Sequence, residues 1–113
     1  MNAPLQAFCE RCLSLQGVVA SAVRAPDGRV HQRSAKPWFT PTQIQQVMTR
    51  LAVAAESLKH QVPDAKRLLW TFEHVQIHLA SRPDGAHLAV FLENRGDTGL
   101  QPLQRLFADF VTL

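Results

Sequence analysis

The order in which helical and extended patterns follow one another constrains this chain more than any single residue. A helical period over 3–16 gives way to two short extended runs. A long helical period starts at residue 41, and three more extended runs and a closing helical period follow. Pro26-Asp27-Gly28 and Pro83-Asp84-Gly85 each separate two extended runs. Proline presets φ for one turn position, aspartate suits the next, and glycine accepts the left-handed conformation that closes a hairpin. The resulting order, α-ββ-α-βββ-α, predicts an α+β fold: a five-stranded antiparallel sheet with helices packed on it.

At 113 residues the chain reads as one domain spanning 1–113. A domain of this size buries roughly 65% of the surface its unfolded chain exposes, enough for one core. Its 46% hydrophobic and 19% charged residues are those of a globular protein, low enough in charge to hint at a covered surface. The net charge is +3 and its lysines and arginines are scattered, which argues against a nucleic-acid binder. Arg24, Arg29, Arg33 and Lys36 do gather around the first hairpin. They read as the charged guard of an edge strand, or as a docking patch for an acidic partner. No apolar run approaches the roughly 20 residues that span a bilayer. Glu10 and Arg11, the absence of a signal-like start and a count of only two cysteines set the expectation of a cytoplasmic protein without membrane insertion.

Leu5, Phe8, Cys9, Cys12 and Leu13 form one apolar stripe on the first helix, with Gly17 as its stop. Residues 18–25 read as a buried strand and 29–34 as a more polar edge strand. Thr40, Pro41 and Gln43 spell a capped helix start, and Phe39 with Ile44 a hydrophobic staple. That helix is expected to run to about His60, with Val62, Pro63 and Asp64 ending it. Ile44, Val47, Met48, Leu51, Ala55 and Leu58 make its stripe, and the small Ala52 and Ala54 allow another helix to approach. The later extended runs are 67–73, 75–82 and 86–93. The second alternates Val75, Ile77 and Leu79 with Gln76 and His78, predicting one dry and one wet face. The third, apolar from Leu88 to Leu92, reads as a central strand. Residues 94–99 read as a loop, and the last helix carries Leu100, Leu103, Leu106, Phe107, Phe110 and Val111 on one broad face.

Little here suggests catalysis. Cys9 and Cys12 form a C-x-x-C pair, but no second ligand pair accompanies them, and their place inside an apolar stripe marks them as packing residues. The histidines lack metal-binding spacing, although His74 and His78 share a strand face and His87 follows across a turn. No nucleophile, phosphate-loop or dinucleotide motif occurs, and no two carboxylates are spaced for acid–base work. The expectation is a non-enzyme with no catalytic residue, no cofactor and no metal. Trp70 and Phe72 alternate along the third strand, which fits either core packing or an exposed protein interface.

Taken together, the chain resembles the roadblock family, the fold of roadblock-type dynein light chains, over about residues 5–112. The resemblance rests on Gly17-Val18-Val19-Ala20-Ser21-Ala22-Val23 followed by Pro26-Asp27-Gly28-Arg29-Val30, and on the long helix from Pro41. It also rests on Phe72-Glu73 followed by Val75-Gln76-Ile77, and on residues 88–92 leading through Gly99 to Leu100. It implies a homodimer or heterodimer in which third strands pair and second helices pack, with Leu51, Ala55 and Leu58 on the helix and Leu69, Trp70, Thr71 and Phe72 on the strand. It further implies a partner or regulator of a small Ras-like GTPase, without catalysis of its own. The chain departs from the family pattern in its basic second strand and in the helix entry Ala35-Lys36-Pro37-Trp38. The alternatives are a small-ligand sensor with a pocket between sheet and helices, or a scaffold subunit with no GTPase partner.

Overall fold

The computed structural model describes residues 3–62, 67–94 and 99–112. Its elements are α1 (Ala3–Cys12), β1 (Val18–Arg24), β2 (Val30–Ser34), α2 (Pro41–Lys59), β3 (Arg67–Thr71), β4 (Val75–Ser81), β5 (His87–Glu93) and α3 (Leu100–Thr112). This is the expected order. Pro63 and Asp64, and residues 95–98 of the expected loop, lie outside the described residues.

All five strands form one antiparallel sheet in the order β2-β1-β5-β4-β3. The two Pro-Asp-Gly hairpins close identically. Gly28 N donates to Ala25 O and Gly85 N to Arg82 O, at 2.9 and 3.0 Å. Both glycines hold a left-handed φ, 92° and 94°, where a side chain strains the backbone. Asp27 and Asp84 each accept from the backbone N–H two residues on, at 3.0 Å.

Period-2 alternation sorts the sheet residues into two cores. Val18, Leu88, Val90 and Leu92 meet α1 and α3, where Phe8 and Phe110 pack with ring centroids 5.9 Å apart. Val19, Ala20, Ile77, Leu79 and Phe91 meet α2 through Ile44, Met48, Leu51 and Ala55. Val19 and Ala20 reach the same face because the β1–β5 register shifts between Val18 and Ala20, so that two residues of β1 stand against Phe91. The central strand β5 is buried from His87 to Leu92, as its apolar run predicts.

Three expectations need correction. The first helix stops at Cys12, and residues 13–15 turn more tightly through bonds to the third residue back before Gly17 (φ 89°). The third strand stops at Thr71, because Phe72 N bonds Val75 O across the turn. The wet face of β4 is half-covered: His78 lies 6.3 Å from the Phe107 ring of α3, a burial that strand periodicity cannot reveal.

Candidate interaction surface

The last strand in the sheet order, β3, leaves one side of its backbone without a strand partner among the described residues. Its residues alternate between exposed and half-buried, with none fully buried. Leu68 and Trp70 lie against the α2-side core, yet α2 leans chiefly over β1 and β2 at the opposite edge, so their cover is partial. Leu69, 55% exposed, and Thr71 face the other way, and Phe72 beyond the strand is 53% exposed. The turn that follows is pinned by the Asn94 side-chain amide, which donates to the carbonyls of Phe72 and Glu73.

Of the seven residues expected at a dimer surface, two are not at the surface. Leu51 and Ala55 are 7% and 4% exposed and belong to the core under α2. At 100° per residue they fall in line with Ile44 and Met48, which point straight at the sheet. Leu58 lies on the flank and is half-buried, as is Val47. With Ala54, these form a half-buried flank of α2, one helical step around from the core line. A groove of about 370 Å³ runs along this flank, lined by Trp38, Phe39, Gln43, Gln46, Val47 and Arg50. The cavity between helix and sheet beneath Leu58, Leu68 and Leu79 measures about 20 Å³, room for about one water.

The basic cluster at the first hairpin is largely neutralised within the chain. Arg29 pairs with Asp27 at 3.5 Å, Arg33 with Glu10 at 3.3 Å and Lys36 with Glu93 at 3.8 Å. Arg24 stands apart from the other three, beside α2 in a groove it shares with Thr49, Glu56 and His60. The four do not make one open cationic face.

Both cysteines are free and buried. Burial pushes the Cys9 thiol up to about 11 and the Cys12 thiol up to about 12, so neither is an accessible thiolate near neutrality. The histidines do not converge. His78 pairs with Val90 on the α3 side, His87 lies buried on the α2 side, and His74 is exposed in a turn. Among the described residues no three His, Cys, Asp or Glu side chains are grouped to hold a metal ion. No described helix is long and apolar enough to cross a membrane.

An antiparallel five-stranded sheet with α1 and α3 on one face, α2 on the other and an open β3 edge is the roadblock fold. The architecture is similar to that of a Roadblock/LC7 domain from Streptomyces avermitilis, with a TM-score of 0.68 at 15% identity, covering 95% of this chain and 91% of that one. It is also similar to MglB from Myxococcus xanthus, with a TM-score of 0.72 at 11% identity and coverage of 96% and 85%. The gliding protein MglB from Thermus thermophilus gives 0.68 at 16% identity, with 96% and 86% covered. No family model and no curated protein matches the sequence.

Proposed function

We propose that this chain is a non-catalytic roadblock-type adaptor that dimerises through β3 and the adjoining flank of α2, and whose dimer binds and regulates a small Ras-like GTPase in the cytoplasm. The observation that carries the reading is the β3 edge. An edge strand with exposed Leu69 and a half-covered Trp70, followed by exposed Phe72, is a template for another strand unless something covers it. A second copy related by a two-fold axis would pair the two edges and bring the Val47, Ala54 and Leu58 flanks together. The regulator role rests on the resemblance of the chain to roadblock proteins and on the likeness of its fold to MglB. An effect on GTP hydrolysis would come from positioning the GTPase's own groups rather than from a donated arginine.

The test is a pull-down from native lysate with the tagged protein, run in parallel with GDP and a non-hydrolysable GTP analogue. Enrichment of a Ras-like GTPase in one arm supports the regulator role. Recovery of the same partners in both arms, with no GTPase among them, reduces the reading to a scaffold.

A further inference from the structure

The α2 interface with the sheet is apolar from Ile44 to Ala55, then changes character. Three polar residues stand side by side on one level of the sheet: Arg24 on β1 and Ser81 on β4 are the register partners of His87 on β5. Alternation with Leu88 turns His87 toward α2, where Glu56 comes down over it. The His87 side chain is fully buried. Its Nδ1 lies 2.8 Å from Ser81 Oγ, while Nε2 is 3.3 Å from Glu56 Oε1, within ion-pair reach once the ring is protonated. Glu56, half in water, also pairs with Lys59 at 3.5 Å. The charged groups facing this imidazole are therefore Glu56 and Lys59 from α2 and Arg24 from β1; β4 offers only the neutral Ser81 hydroxyl.

We propose that His87 is a proton-operated latch, seating the C-terminal half of α2 on the sheet while its imidazole is neutral and releasing that half on acidification. The neutral ring accepts the Ser81 O–H at Nδ1 and packs without charge beneath the helix. A proton added to the fully buried ring makes a third cation near Arg24 and Lys59 that water cannot reach, and the Ser81 hydroxyl must turn round to accept instead of donate. Glu56, 3.3 Å away, is the strongest charge opposing this, but its carboxylate is half exposed and shared with Lys59, so it offsets only part of the cost of burial. Burial is accordingly the largest influence on the ring and depresses its proton affinity, Glu56 pulls the other way, and Lys59 and Arg24 add to the depression. The segment released carries Leu58, so acid alters the flank of α2 that borders β3.

The experiment is amide hydrogen exchange at about pH 7.5 and about pH 5.5, corrected for intrinsic rates, comparing residues 51–59 with residues 42–48 of the same helix. Opening of 51–59 is expected to rise about tenfold at the lower pH while 42–48 changes little, and His87→Gln is expected to abolish the difference. In parallel, the NMR titration of His87 is expected to move up in Arg24→Gln and down in Glu56→Gln, two substitutions at partly solvated positions. Equal acceleration of both halves, the same acid response in His87→Gln, or a titration unmoved by either neighbour would overturn the latch. If His87→Gln does not fold, the two neighbour variants decide.

Discussion

Phe39 sets its ring edge-on to Phe91, with centroids 5.1 Å apart and planes at 80°, and so ties the entry of α2 to the central strand. Thr40, the next residue, closes the helix start: its Oγ1 accepts from Gln43 N at 3.2 Å, and Gln43 Oε1 accepts from Thr40 N at 3.0 Å. Local capping and tertiary anchoring thus meet in two adjacent residues. Thr40→Ala is expected to lower stability by about 1 kcal/mol. Phe39→Ala, which also empties part of the α2-side core, should cost about 2 kcal/mol or more. Urea unfolding of the three proteins checks the order. A larger loss from Thr40→Ala than from Phe39→Ala would mean that Phe39 does not anchor the helix.

Replacing Leu69 or Phe72 by aspartate is expected to leave the fold intact, because both side chains are more than half exposed, and to convert a dimer to monomers. Leu51→Asp is expected instead to unfold the chain, since Leu51 is core. Analytical ultracentrifugation with circular dichroism separates the two outcomes. A dimer that survives both Leu69→Asp and Phe72→Asp would place the interface elsewhere.

Cys9 and Cys12 should resist a thiol-specific reagent in the native protein and react only as fast as the chain unfolds. Desolvation by burial, the largest influence on each, holds both thiols protonated well above neutrality. Fast labelling of either cysteine near pH 8 in folded protein would contradict their place in the α1-side core.

His78 and His87 both bind protons less readily folded than unfolded, His78 through burial and then through the Arg67 guanidinium. The unfolded chain, whose histidines titrate near their ordinary value of 6.5, then holds more protons than the native one below that pH. Stability is therefore fully present above about pH 6.5 and is lost as pH falls toward the depressed native values. Thermal unfolding across this range should show the decline, and the double variant His78→Gln, His87→Gln should reduce its slope. An unchanged slope would assign the acid response to other groups.

Gly85→Ala is expected to cost about 1 kcal/mol through backbone strain alone, since φ is +94° and an added Cβ would meet no atom within 4 Å. A neutral result would show that the β4–β5 turn relaxes to another geometry.

Much of the architecture was legible because it rests on local rules. The two Pro-Asp-Gly turns, the Thr40–Gln43 cap and the run from Leu88 to Leu92 each state their conformation within a few residues. The candidate surface was legible only in part. Leu69, Thr71 and Phe72 are exposed, as a surface role requires. A broad apolar helix stripe, however, does not reveal where core ends and flank begins, so Leu51 and Ala55 read as surface although they are core.

The sequence by itself determined the element order, the hairpins and which faces of the strands and helices are apolar, because these follow from backbone propensity and periodicity. Only the tertiary structure decided that α2 leans toward β2 and leaves β3 half-covered, that the basic hairpin spends most of its charge on internal pairs, and that Ser81, His87 and Glu56 meet. Those outcomes depend on strand register and on where distant elements come to rest, and so on the three-dimensional packing of the whole chain.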